Sequence, residues 1–166
     1  MVTYQDVSSS EEIKSYIRQA DASLVALGYT EHSFAHVVRV ATVTQNILTE
    51  LGYDPRTVEL ARIAGFMHDI GNVVNRIDHA QSGAVMAFRI LDKMGMEPNE
   101  VAQVIAAIGN HDEHTAYPVN ALAAALILAD KSDVRRSRVR NRDVPSFDIH
   151  DRVNYSVEQS SLKTDV

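Results

Sequence analysis

Apolar residues along this chain return every three or four positions, in stretches separated by short polar breaks that carry glycine, proline or serine. That spacing belongs to helices burying one face, and no segment before the last few residues alternates with a period of two. The pattern predicts a first helix over 10–27, where Ser8-Ser9-Ser10-Glu11-Glu12 offers two overlapping capping boxes and Gly28 supplies the stop. A second helix over 31–51 ends at Gly52. A third opens with Asp54 as cap and Pro55 at the first helical position, and runs into His68-Asp69 before Gly71. Further helices are predicted over 79–94, from 98 to 110 or 111, and over 119–137, with a seventh over 148–159. The fold expected is therefore all-α, a bundle of about six to seven helices. The segment 140–145 reads as a polar surface loop, and 161–166 reads as the start of a strand, as though the natural chain continued.

Several polar residues continue the apolar stripes instead of opposing them. His36 shares a helix face with Val40, Val43 and Ile47; His79 precedes Gly83, Met86, Ala87 and Ile90 on one line; His111 follows Val101, Val104 and Ile108. Asp130 ends nine consecutive apolar residues, Ala121 to Ala129, and His68 and Asp69 follow Ile63-Ala64-Gly65-Phe66-Met67. A buried carboxylate needs a proton, an arginine or a metal to offset its lost hydration. Singly, each such residue is more often a hydrogen-bonded core group than a ligand. Together they form a mixed imidazole and carboxylate set, which suits iron or manganese, with nickel, cobalt or zinc as further options, better than calcium or magnesium.

Composition narrows the chemistry. With 166 residues and 45% hydrophobic content, one domain with a real core is expected over 1–166. The absence of cysteine excludes disulfides, thiolate zinc sites, iron–sulfur clusters and cysteine nucleophiles, so any metal must take nitrogen and oxygen ligands. The first ten residues are polar and the longest apolar run is about half a membrane span, so a soluble, cytoplasmic protein without membrane contact is expected. A net charge of -6 argues against general nucleic-acid binding. The cluster Arg135, Arg136, Arg138, Arg140 and Arg142 is a local exception, either a solvated or oligomer-contact face or a grip on a phosphorylated ligand.

Three blocks in order, His36-Val37-Val38-Arg39-Val40, then Phe66-Met67-His68-Asp69-Ile70-Gly71, then Leu126-Ile127-Leu128-Ala129-Asp130-Lys131, resemble the HD phosphohydrolase superfamily across about 36–133. The resemblance implies an all-α HD-domain bundle with a core over about 31–137 and a C-terminal extension over 138–166, and metal held by His36, His68, Asp69 and Asp130. His79 and His111 resemble the two extra histidines of a branch with a binuclear centre, which includes symmetrical diadenosine tetraphosphate hydrolases and cyclic-di-GMP phosphodiesterases. In that branch Asp69 would bridge two ions. The chain departs from the cyclic-di-GMP enzymes in having Asn72 where they have lysine, Asn110-His111 where they have two histidines, and Ala116-Tyr117-Pro118 without their glycine. Its segment between Asp69 and His79 is short beside the dinucleotide hydrolases.

One or two divalent transition metals are thus the expected cofactor. The expected reaction is hydrolysis of a nucleotide or related phosphate ester or anhydride by a hydroxide held on the metal. Asp69 and Lys131 are the candidate catalytic residues. Arg39, Lys131 and Arg135 are the candidate phosphate ligands, Arg135 because it is expected to continue the helix carrying Asp130, and His114 is a reserve metal ligand. The expected partner is a small phosphorylated molecule, and a homodimer is compatible with the sequence. Two other readings keep the fold: a metal-binding or ligand-sensing regulatory module, and a di-iron oxygenase. No glycine-rich phosphate loop, dinucleotide fingerprint, serine elbow or His-Glu-x-x-His motif competes.

Overall fold

The computed structural model describes residues 1–165. It is helical throughout, with α1 (Tyr4–Ser9), α2 (Glu11–Ala26), α3 (Phe34–Glu50), α4 (Pro55–Met67), α5 (His79–Lys93), α6 (Pro98–Gly109), α7 (Ala121–Ser132) and α8 (Ile149–Ser156). Single 3₁₀ turns lie at Ile70–Val73, Arg136–Arg138 and Val144–Ser146, and no strand is present among the described residues.

The caps follow the local chemistry. Ser10 accepts from the Ile13 amide at the start of α2. Asp54 accepts from the Arg56 and Thr57 amides ahead of Pro55, and Asn120 accepts from Ala123 to open α7. The capping box itself forms one helix earlier, between Thr3 and Asp6 of α1. Sequence patterning does not find α1, because six residues are too few for a stripe. It is held by the Tyr4 ring edge-on to Phe66 at 5.7 Å and by Glu59, which accepts from the Tyr4 amide.

The centre of the bundle is α4, buried from Leu60 to Met67 save for Arg62. It lies between α3 and α6 with α7 across it, while α5 pairs with α6 and α2 packs on the 3₁₀ turn after Asp69. Two glycines set these approaches. A Cβ on Gly65 would stand 2.8 Å from the Ala41 Cα, so α3 and α4 touch backbone to backbone. A Cβ on Gly71 would stand 2.0 Å from the His79 carbonyl oxygen, so the turn after Asp69 is pressed against the first turn of α5.

Two expectations are corrected. The sixth predicted helix stops at Ser132 rather than continuing to 137: Asp133 leaves helical geometry (φ -80°, ψ 70°) to bury its carboxylate, and Arg135 is extended, outside the helix that carries Asp130. Residues 161–165 form no strand, and Val166 lies outside the described residues. No described helix is long and apolar enough to cross a membrane.

Candidate metal centre

Five structural elements each deliver ligand-type side chains to one place. His36 comes from the first turn of α3, His68 from the end of α4, Asp69 from the residue after it, His79 from the first position of α5, His111 from just beyond α6 and Asp130 from the last turn of α7. The four imidazoles are buried, as is Asp69, and the Asp130 side chain is 13% exposed.

Each ring is oriented by its Nδ1. His68 Nδ1 donates to the Gly65 carbonyl (2.8 Å), His79 Nδ1 to the Arg76 carbonyl (3.0 Å) and His111 Nδ1 to the Ile108 carbonyl (2.6 Å). His36 Nδ1 instead donates to Asp133 Oδ2 (2.8 Å). Fixing Nδ1 as donor turns every Nε2 toward the others, the arrangement by which metal-binding histidines are held.

The Nε2 atoms fall into two groups around Asp69. Its Oδ2 lies 3.2 Å from His68 Nε2 and 3.5 Å from His36 Nε2. Asp130 Oδ1 closes that group at 3.3 Å from His36 Nε2. The other oxygen, Oδ1, lies 3.5 Å from His79 Nε2 and 3.9 Å from His111 Nε2, and accepts from Asn72 Nδ2 (3.0 Å). His36, His68 and Asp130, and separately His68, Asp69 and His111, each place three ligand atoms within 4.8 Å of one another.

The donor set fits a divalent cation. Asp69 Oδ2 is buried without a hydrogen-bond partner, facing imidazole nitrogens whose second nitrogen is already used. Burial favours the neutral form of His79 and pushes His111 down to about 4, the form a ligand must take. Burial opposes ionisation of Asp69 and Asp130, but the neighbouring imidazoles hold both carboxyls well below the usual range. Burial also opposes a charge on His36, yet its bonds to Asp130, Asp133 and Asp69 prevail and raise it to about 10.

The remaining candidates divide. Lys131 Nζ lies on the cavity above the ligands, 2.8 Å from Asp130 Oδ2 and 3.7 Å from Glu113. Arg39 turns away: its Nε meets Asp133 Oδ1 at 3.0 Å, and it lines a different groove. Arg135 bonds both oxygens of Asp133 and Oε2 of Glu31, so these two guanidiniums neutralise a buried carboxylate instead of facing the cavity. His114, with its side chain 85% exposed, points to solvent beside Glu113. Of the other clustered arginines, Arg140 pairs with Asp21, Arg136 bonds the Tyr155 carbonyl, and buried Arg138 bonds the carbonyls of Glu31 and Asp133.

Two contributors escape the sequence reading. Asp133 stands three residues after Asp130 and His32 four before His36, so both carry the helical spacing that marks the ligands. His32 is half-buried: its Nδ1 is 2.7 Å from the Thr30 carbonyl, its ring lies edge-on to His36 at 5.3 Å, and burial pushes it down to about 3.

Comparison with known proteins places the chain in a family. The sequence profile of the HD domain matches residues 33–143. The chain is 33% identical to Ribonuclease Y of Deinococcus radiodurans over 120 residues, which are 68% of this chain and 19% of that protein. It is 34% identical to Ribonuclease Y of Lawsonia intracellularis over 107 residues, 63% of this chain and 18% of the relative. The chain thus spans about a fifth of the length of these relatives. A crystal structure of a predicted HD superfamily hydrolase from an uncultured Thermotogales bacterium superposes with a TM-score of 0.59 at 29% identity, covering 75% of this chain and 67% of that one. A helical bundle that aims four imidazoles and two aspartates at one point, and whose sequence matches that profile over two thirds of its length, belongs to the HD domain family.

Proposed function

We propose that the protein is a metal-dependent phosphohydrolase that cleaves a nucleotide or a related small phosphate ester or anhydride. The observation that carries the reading is the division of the ligand atoms into two groups on opposite oxygens of Asp69, at the base of a cavity of about 310 Å³. His36, His68, Asp69 and Asp130 would hold one divalent ion, and Asp69, His79 and His111 a second. Iron or manganese suits this nitrogen and oxygen set best, with nickel, cobalt or zinc as alternatives. Bound divalent ions supply Lewis acidity toward a phosphoryl oxygen and acidify a coordinated water.

The chain's own residues supply the rest. Asp69 sets the spacing of the two groups, and Asn72 fixes its rotation through Oδ1. The Nδ1 bonds keep the four imidazoles in place as charge at the centre changes. Lys131 offers a cation to the substrate's phosphoryl oxygens. The cavity is at the small end of ligand sites, roughly 300–1,000 Å³, which supports a small phosphorylated partner over a polymer. The likeness to Ribonuclease Y favours a second reading, phosphodiester cleavage in RNA. A cytoplasmic setting without membrane contact is part of the proposal, and a homodimer is compatible with it.

The test is release of phosphate or nucleoside from mononucleotides, dinucleoside polyphosphates, cyclic dinucleotides, guanosine polyphosphates and an oligoribonucleotide, after manganese or iron loading, with Asp69→Ala as blank. Turnover of a small phosphoester that the variant loses supports the reading. Cleavage of the oligoribonucleotide alone moves it to RNA, and no turnover with metal bound moves it to a regulatory module or an oxygenase.

A further inference from the structure

The cavity above the ligands is lined by two chemically different sets of side chains. One centres on Arg76, from the loop between the 3₁₀ turn and α5. Its backbone carbonyl anchors His79 Nδ1 (3.0 Å), so its position relative to the ligand set is fixed by one residue's own bonds. Its guanidinium, unlike those of Arg39, Arg135 and Arg140, has no carboxylate at ion-pairing distance among the described residues. It reaches only Asn72 Oδ1, at 3.4 Å, and lies 5.6 Å from the centre of the Tyr29 ring. Of the carboxylates on this cavity, Asp69, Asp130 and Glu113 are committed to imidazoles or Lys131, and Asp112 forms no ion pair with Arg76, so a half-buried arginine with most of its five N–H groups free is a site for an incoming anion.

The other set is apolar and comes from outside the segment that the HD profile matches, 33–143. Tyr29 precedes that segment; Ile149 and Val153 follow it on α8. Ile149 is 67% exposed and Val153 46%, although both line the cavity. Their helix is firmly placed. Buried Asn154 accepts from the Arg135 amide (3.0 Å), Arg136 bonds the Tyr155 carbonyl (2.8 Å), and Tyr155 stacks edge-on to Phe147. Large aliphatic side chains held open on a cavity that an aromatic ring also lines mark a place where a flat, uncharged group loses water on binding.

We infer that the cavity recognises a single nucleoside monophosphate: Arg76 holds its phosphate while Tyr29, Ile149 and Val153 supply the apolar contacts to its base. The inference rests on the phosphohydrolase reading for its place in a reaction, and on Arg76 and α8 alone for binding. The volume of about 310 Å³ admits one such unit.

The experiment uses the full chain. Adenosine 5′-monophosphate, adenosine and ribose 5-phosphate are titrated by equilibrium dialysis in EDTA, where turnover stops, and manganese content, kcat and KM are measured separately after loading. The monophosphate should bind at least about tenfold tighter than adenosine, the worth of one charge-assisted contact, and at least about tenfold tighter than ribose 5-phosphate, the worth of burying the base. Arg76→Ala should weaken the monophosphate and ribose 5-phosphate by about tenfold and leave adenosine unchanged, with Arg76→Lys recovering part of the loss. Ile149→Ser with Val153→Ser should weaken the monophosphate and adenosine and leave ribose 5-phosphate unchanged. Each variant should retain wild-type manganese content and raise KM more than it lowers kcat. Monophosphate binding that is insensitive to these changes overturns the inference, as does a single-stranded oligoribonucleotide that binds more tightly than the monophosphate through Arg76. If these binding dependences hold but no phosphoester is cleaved, the proposed function falls and the recognition stands. If a phosphoester is cleaved with an unchanged KM in Arg76→Ala, the recognition falls and the function stands.

Discussion

Asp133 shows how much of this centre depends on a residue that would touch no metal. Its carboxylate accepts a hydrogen bond from His36 Nδ1 at 2.8 Å and gathers Arg39, Arg135 and Arg138 around it. Asp133→Asn keeps the shape but weakens the acceptor that orients His36. Manganese affinity should fall about 10- to 100-fold, the usual cost of losing a group behind a metal ligand, as read by competition with a chelating dye. Unchanged affinity would show that burial alone holds the ring. The ligands themselves were legible because an imidazole or carboxylate on an apolar stripe contradicts its surroundings. Asp133 carried the same helical spacing from Asp130 and was legible in principle. Its role was hidden because the pattern of α7 runs on past Ser132, and only the buried carboxylate shows why the helix stops.

At the scale of elements, the contact between the 3₁₀ turn and α5 decides whether Asp69 and His79 meet. Gly71→Ala would put a Cβ against the His79 carbonyl and the Gly83 amide, both backbone atoms with nowhere to move. Overpacking a core commonly costs about 1–3 kcal/mol, and a backbone clash belongs at or above the upper end. The variant should unfold at lower denaturant and lose manganese stoichiometry, whereas Gly28→Ala, in open space although at positive φ, should lose stability without losing metal. The same contact explains a limit of the sequence reading. Every helix but the six-residue α1 could be drawn from its own stripe and caps, but the loop over 72–78 carries no periodic signal. Arg76 takes its meaning from Tyr29 and α8, which are distant in sequence.

Across the whole molecule, charge makes folding sensitive to acid. Burial alone would raise the Glu31 carboxyl, but hydrogen bonds from Ser33 and the charges of Arg135 and Arg138 lower it; Glu100 is lowered by Arg56. Carboxylates depressed in the folded state add stability that is fully present above their unfolded value of 4.5 and is lost as pH falls toward the lower folded values. The thermal midpoint should therefore drop below about pH 4.5, and Glu31→Gln should flatten part of that slope. Metal acts in the opposite direction. Its ligands come from five elements, so an ion bound only by the folded chain at 100 times its Kd should add about 2.7 kcal/mol, or roughly 5–10 °C in Tm. Calorimetry with and without manganese checks this, and an unshifted midpoint would remove the metal centre from the account of stability.

The Nδ1 bonds also bear on the order in which the centre is assembled. His68, His79 and His111 each bond a carbonyl three residues earlier, so their rings are set as soon as the local turn forms. His36 alone takes its partner from across 97 residues of sequence. During folding, three of the four imidazoles would be aimed early and cheaply in loop entropy, and the fourth only when the end of α7 closes on α3. A partly folded chain would carry an incomplete ligand set, and tight metal capture would report that the end of α7 had closed on α3.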